Sequence, residues 1–238
     1  MFSSLGGGRR ILLPSVGLAA FLLFFSFLPA VQISNMKLID EVVLTEEGYS
    51  ADIALHPTDG SLHVAWVNRF GDIVYAVKDH NGTWSHASAI PDGGLFVFAR
   101  EENIHDRKCM GLCIDYKGIS HIVFSEVGGD LYYISGVPGL WNAPKRIVEK
   151  ASNTIYPDIV AVRDYLYVVY EDADIDKIYN VNRFFGSWSS PKMIATGEYP
   201  SLTVGNNRVY FLCRGGIYEA SDFHRIKFAV VEAGENNW

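Results

Sequence analysis

Carboxylates and arginines recur in this chain beside short, alternating apolar runs: Asp52, Arg69, Arg107, Glu126, Asp158, Glu171, Asp172 and Arg214. An arginine presents a planar fork of donors that grips a carboxylate through two parallel hydrogen bonds, so Arg69, Arg107 or Arg214 suits a ligand carrying that group. Two carboxyl groups flanking a glycosidic bond divide the work of acid and of base or nucleophile. Glu126 with Glu171 is the pair placed for that role, and Asp158 is a third candidate. Other chemistries lack their residues. There is no Gly-x-Ser-x-Gly, no phosphate-loop or dinucleotide fingerprint, and no zinc-ligand spacing. Asp172, Asp174 and Asp176 alternate as calcium ligands can, yet the glycine and closing glutamate of a calcium loop are missing, so neither metal nor cofactor is expected.

Positioning these residues falls to a fourfold repeat. Gly71–Ala76 leads to Gly82-Thr83-Trp84, Gly129–Tyr133 to Gly139-Leu140-Trp141, Asp176–Tyr179 to Gly186-Ser187-Trp188, and Arg225–Ala229 to Asn236-Asn237-Trp238. The tryptophans recur about every 50 residues, the length of a propeller blade. Before each copy lies an alternating strand (Leu62–Val67, Ser120–Ser125, Leu166–Tyr170, Arg208–Leu212), and before that a strand rich in small residues (Asp52–Leu55, Met110–Ile114, Asp158–Val162, Ser201–Val204). Asp59-Gly60, Lys117-Gly118, Arg163-Asp164 and Asn206-Asn207 supply the tight turns between these two. A further short strand follows at Pro144–Val148 and Pro191–Ala195. The expected fold is all-β: a β-propeller of four four-stranded antiparallel blades, roughly 49–105, 106–154, 155–197 and 198–238. Lys37–Leu44, within the strand 37–47, is expected to complete the last blade and close the ring, which removes two exposed edges. A fragment of a larger propeller fits the same pattern.

Strand direction then gathers the chemistry on one rim. The start of each innermost strand and the end of each second strand emerge on the same side because the two run antiparallel. Asp52, Asp106, Arg107, Asp158 and Glu198 arrive from the first set. Asn68, Arg69, Glu126, Glu171, Asp172, Asp174 and Arg214 arrive from the second. That rim is either a polar ligand pocket or a ring of solvated loop charge.

Val77-Lys78-Asp79-His80-Asn81-Gly82-Thr83-Trp84 keeps the Asp, Thr and Trp of the motif Ser/Thr-x-Asp-x-Gly-x-Thr-Trp, and weaker copies end at Trp141 and Trp188. Over residues 49–238 the chain resembles the sialidase-like propellers with Asp-box (bacterial neuraminidase) repeats. The resemblance implies a fold and no activity, since that box is a turn between outer strands. It implies a structural role for Trp84, Trp141, Trp188 and Trp238, each filling the space between blades. The sialidase signature Arg-Ile-Pro is missing: Arg146-Ile147 and Arg225-Ile226 are followed by Val148 and Lys227.

Arg9 and Arg10 precede a mainly apolar run, Ile11–Leu28, with Pro29-Ala30 after it. An export signal over 1–30 is expected, and an uncleaved membrane anchor through 11–28 is the alternative, because the run is long and Leu28 is not small. The destination is secreted or extracytoplasmic. The formal charge is −7, and without a basic, aromatic-interleaved stripe this argues against nucleic acid. Cys109, Cys113 and Cys213 are too few for a disulfide framework and read as buried small residues. His63 and His121 hold equivalent repeat positions, which favours hydrogen bonding over metal ligation. The apolar stretch Leu95–Phe98 in the insertion 91–103 suits a partner contact or packing on its own blade.

Three functions fit. The first is a recognition module for carbohydrate or a surface protein, without catalysis. The second is a sialidase-like glycoside hydrolase using rim carboxylates and arginines. The third is a structural or assembly subunit.

Overall fold

The computed structural model describes residues 44, 48–91, 108–126, 129–149, 154–215, 225–235 and 238. These form four antiparallel blades of a β-propeller. Blade 1 is β1 (Gly48–Leu55), β2 (Leu62–Asn68), β3 (Ile73–Lys78) and β4 (Ser88–Ala89), in that spatial order. Blade 2 is β5 (Met110–Ile114), β6 (Ser120–Ser125) and β7 (Leu131–Val137), with its outermost strand split into β8 (Leu140–Trp141) and β9 (Lys145–Val148). Blade 3 repeats that plan as β10 (Thr154–Val162), β11 (Tyr165–Asp172), β12 (Lys177–Phe184), β13 (Ser187–Trp188) and β14 (Lys192–Thr196). Blade 4 contains β15 (Glu198–Gly205), β16 (Arg208–Arg214) and β17 (Ile226–Glu232).

The repeat exists because one sheet cannot bury both of its apolar faces. Ala65, Val67, Ile73 and Tyr75 of blade 1 pack on Met110, Leu112, Ile122 and Phe124 of blade 2. Val123, Leu131 and Tyr133 of blade 2 pack on Ile159, Leu166, Val168 and Tyr170 of blade 3. Tyr167, Val169 and Ile178 of blade 3 pack on Leu202, Val209, Phe211 and Val231 of blade 4.

Three of the four repeat tryptophans act at these junctions, whereas Trp84 packs with Trp66, Val74 and Ala76 on the face of blade 1 that turns away from blade 2. Trp141 takes the edge of Tyr75 from the preceding blade at 5.0 Å between ring centroids, and Trp188 that of Tyr133 at 4.9 Å. Trp238 meets Tyr167 at 6.1 Å. Such edge-to-face pairs add about 0.5–1.5 kcal/mol to area burial. Trp141 lies opposite Gly136, where a Cβ would come within 2.4 Å of Leu140 O and 2.7 Å of Trp141 Cα. Ahead of Trp84, Asp79 Oδ1 accepts the amides of Asn81 at 2.9 Å and Thr83 at 2.8 Å, closing the outer turn.

The strand 37–47 and the segment 1–30 fall outside the described residues, Leu44 excepted. Leu44 packs against Trp66, Val74 and Ala76 on the face of blade 1 that turns away from blade 2, and not on blade 4. The outward face of blade 4 stays open: Ile226 and Phe228 are each 65% exposed. On blade 1, Ile53 is 58% and Leu55 64% exposed. The expected seal between the last blade and the start of the chain is therefore not seen among the described residues.

Candidate functional site

Register confirms that one rim gathers the starts of the innermost strands and the ends of the second strands, because Gly48 pairs with Asn68, Thr154 with Asp172 and Glu198 with Arg214. At this rim three of the four innermost strands slip register, between Tyr49 and Asp52, Ile155 and Asp158, and Glu198 and Ser201. Ser50 (φ 49°), Tyr156 (φ 50°) and Tyr199 (φ 55°) take the left-handed conformation there. Each costs about 1–2 kcal/mol for an L-residue and needs outside restraint. The restraint comes from the neighbouring blade. Ser50 Oγ accepts the Cys109 amide at 2.7 Å, Lys108 O accepts the Tyr156 amide at 2.8 Å, and Glu171 Oε2 accepts the Tyr199 amide at 2.8 Å.

Asp52 and Asp158 meet at the mouth of a cavity of about 570 Å³ lined by the four innermost strands. Lys108, which sequence reasoning passed over in favour of Arg107, bridges them: its Nζ lies 3.0 Å from Asp158 Oδ1 and 3.2 Å from Asp52 Oδ2. Burial works against the ammonium, but the two carboxylates outweigh it and hold the lysine pKa above its ordinary value. Both aspartates also clasp the next blade. Asp52 Oδ2 accepts the Leu112 amide at 2.9 Å, and Asp158 Oδ2 accepts the Leu202 amide at 2.7 Å.

The other rim residues are dispersed. Glu171 is 4% exposed and turned toward blade 4. Asp172 is buried, and its Oδ1 accepts the Asp174 amide at 3.3 Å. Glu126 sits in the turn to β7, where its amide donates to Asp130 O at 2.9 Å. Burial, with the Glu126 charge adding to it, raises the pKa of neighbouring Tyr132. Arg69 is exposed, with its guanidinium 4.7 Å from the Phe70 ring centroid. Arg107 and Asp106 lie outside the described residues. Glu126 and Glu171 thus stand in separate blades, with Glu171 directed to the junction on its far side. Among the described residues no group of three or more His, Cys, Asp or Glu is arranged to hold a metal ion.

Arg214 is placed differently. It pairs with Glu198, and its guanidinium lies 4.8 Å from the centroid of the Tyr199 ring. Tyr199 in turn meets Tyr156 edge-on at 4.7 Å. The Arg214 side chain is 39% exposed, yet its Nε–H is covered and has no partner among the described residues. Strained backbone, two aromatic rings, a cation and a carboxylate converge here.

An Asp–Ser–His set also occurs, at Asp59, Ser61 and His63, but its connectivity rules out nucleophilic work. Ser61 Oγ donates to Asp59 at 2.6 Å and lies 2.8 Å from His63 Nε2. Burial, followed by the His56 charge, lowers the His63 pKa and keeps the ring neutral. With the Ser61 proton already on Asp59, Nε2 must carry the imidazole proton, so it is no base for Ser61. The bare Nδ1 accepts Tyr75 OH, whose oxygen lies 2.6 Å from Ser120 Oγ in blade 2. The chain fastens two blades, the hydrogen-bonding role that the repeat position of His63 suggests. His121 likewise meets Tyr133 OH at 2.7 Å.

Fold and rim together define a β-propeller. No protein-family model matches the chain, and no curated protein sequence does. Among solved structures it is similar to a lectin from Burkholderia pseudomallei, with a TM-score of 0.64 at 13% identity over 83% of this chain and 57% of that one. It is similar to the Aleuria aurantia lectin in complex with Fucα1-6GlcNAc, with a TM-score of 0.54 at 12% identity over 80% and 63%. The α-L-arabinofuranosidase of Podospora anserina in complex with cellotriose gives a TM-score of 0.50 at 13% identity over 81% and 66%. The chain therefore spans less than two thirds of the length of each of these propellers, which include both lectins and glycoside hydrolases.

Proposed function

We propose that this chain is an extracytoplasmic carbohydrate-recognition propeller that seats a saccharide on the rim of blade 4, against Tyr199, Tyr156 and the Arg214–Glu198 pair. The observation that carries the reading is the half-exposed Arg214 guanidinium held 4.8 Å from the centroid of the Tyr199 ring and beside Glu198. A sugar presents an apolar C–H face to an aromatic ring and hydroxyls that both donate and accept, and this cluster offers a ring, N–H donors and a carboxylate together. The left-handed Tyr199 supports the assignment, since strained backbone held by its surroundings concentrates at binding sites. The lectins that share the fold lend further support, and the apolar run 11–28 supports export.

The test is glycan-array binding followed by calorimetry on any hit. Tyr199→Ala and Arg214→Gln are expected to weaken binding by about tenfold or more, as losing a stacked ring or a charge-assisted hydrogen bond implies. A blank array, or affinity unchanged in both variants, overturns the reading. Turnover of aryl glycosides that Glu126→Gln abolishes would replace recognition with hydrolysis.

A further inference from the structure

The opposite end of the blades carries a second, separate constellation. A cavity of about 440 Å³ lies among the β5–β6 turn of blade 2 and the two hairpin turns of blade 3, lined by Lys117, Arg163, Asp164, Tyr165, Arg183 and Phe185. Asp164 is occupied: its Oδ1 accepts Lys117 Nζ at 2.5 Å and Tyr116 OH at 2.9 Å. Arg163 and Arg183 have no carboxylate partner among the described residues, and Arg183 rests 5.9 Å over the Tyr133 ring. Three cations against one anion face this cavity, on a chain whose formal charge is −7.

Backbone conformation singles out the same place. Among the described residues, the non-glycine positions with positive φ are Ser50, Tyr156, Arg163, Asp176, Phe185, Tyr199, Asn206 and Asn207. Ser50, Asp176 and the asparagines are small or tolerate this region, whereas the large side chains fall in two pairs. Tyr156 and Tyr199 belong to the first rim. Arg163 (φ 54°) and Phe185 (φ 51°) both border this cavity. The equivalent inner turns use Gly60, Gly118 and Asn206-Asn207, which take positive φ with less strain. Phe185 forms the two-residue β12–β13 turn with Gly186 (φ 83°), where a smaller residue would take positive φ with less strain, and its ring is 88% exposed beside the cavity.

We propose that this turn-side cavity binds an acidic sugar unit, a pyranose carrying a carboxylate or a sulfate. Arg163 and Arg183 grip the anionic group in bidentate fashion, and Tyr165 and Phe185 take the apolar face of the ring. The assignment is independent of the blade 4 rim, and the two sites fail separately.

Calorimetry on the full chain tests it, using an oligogalacturonate, a sulfated heparin disaccharide and neutral cello-oligosaccharide as probes at low and raised salt. Binding of at least one acidic probe is expected, weakening with salt and absent for the neutral one. Arg163→Gly and Arg183→Gln should each reduce it by about tenfold or more. Arg163→Gly also relieves the turn, so its melting temperature should hold or rise while affinity falls, which separates lost binding from lost folding. Arg208→Gln, which breaks an exposed pair with Glu232 on blade 4, should leave binding intact. No binding of either acidic probe, affinity undiminished in both cavity variants, or equal binding of the neutral oligosaccharide would each overturn the proposal.

Discussion

Replacing Asp158 with alanine removes an acceptor shared by three donors. Its Oδ2 accepts the Leu202 amide at 2.7 Å, and its Oδ1 takes the Ile159 amide at 3.1 Å and Lys108 Nζ at 3.0 Å. A hydrogen bond to a charged group contributes about 1.5–3 kcal/mol, and a covered donor left without a partner costs about 1–3 kcal/mol. Lys108 keeps Asp52 at 3.2 Å, so its charge is not abandoned, and a total near 3–4 kcal/mol is expected. Asp158→Asn keeps the size and one acceptor oxygen and should lose about half of that. Urea unfolding followed by tryptophan fluorescence and near-ultraviolet circular dichroism measures the change, provided the two transitions coincide. A cycle with Lys108→Met isolates the ion pair, for which a coupling of about 1–2 kcal/mol is expected. If Asp158→Ala loses less than about 0.5 kcal/mol, or if the double variant is additive, the carboxylate is a solvated rim charge and the account of blade clasping fails.

The buried His63 sets a pH dependence. Its folded pKa lies below the ordinary imidazole value, so the unfolded chain binds the proton first as pH falls. Stability is then complete above about pH 6.5 and declines below it, by up to about 1.4 kcal/mol per pH unit, until the folded pKa is passed. A His63→Gln chain should flatten that window in unfolding titrations, and an unchanged slope would contradict the assignment. Gly136→Ala pushes a Cβ into Leu140 O and Trp141 Cα and should lower stability by more than about 2 kcal/mol; a melting temperature within error of the parent protein would refute it. Burial leaves Cys109, Cys113 and Cys213 as free thiols, with the pKa of Cys109 and Cys213 raised to about 11. A disulfide-exchange reagent should therefore label none of them in the native protein and all three in denaturant; rapid labelling of the native protein would show the junctions to be open.

Periodicity carried most of the fold. Met110–Ile114 and Ser120–Ser125 match β5 and β6 residue for residue, because alternating runs bounded by turn residues have little freedom in a sheet. The rim followed from strand direction alone. What lay beyond the sequence was how far each innermost strand extends past its bulge: β1 begins at Gly48 and β10 at Thr154, several residues before the small-residue runs. The left-handed residues at those bulges are Ser50, Tyr156 and Tyr199, not glycines, so no turn signal marks them. Nor does pattern reveal that a carboxylate accepts a backbone amide from the next blade. Asp52, Asp158 and Glu171 look like ligand-binding charge in the sequence and act as fasteners in the structure.

One position in the innermost strands shows how the blades divide this labour. Register makes Asp52, Gly111, Asp158 and Ser201 equivalent, opposite Ala65, Val123, Val169 and Leu212. Blades 1 and 3 use the aspartate to reach the next innermost strand. Blade 2 uses closeness instead: a Cβ on Gly111 would come within 3.0 Å of Asp158 Cα and Pro157 O, so the backbone of blade 3 occupies the place of a side chain. In blade 4 the outward residues Ile226 and Phe228 are exposed, and among the described residues Ser201 makes no such clasp. The same holds at the end of the second strand, where Glu171 ties down Tyr199 while its equivalent Arg214 folds back on Tyr199 and Glu198. The carboxylates that join blades each spend an oxygen on a backbone amide of the next blade. Neither proposed site draws on these junction carboxylates: one is the Arg214–Glu198–Tyr199 cluster of blade 4, and the other lies among the turns beside the Lys117–Asp164 pair that joins blades 2 and 3.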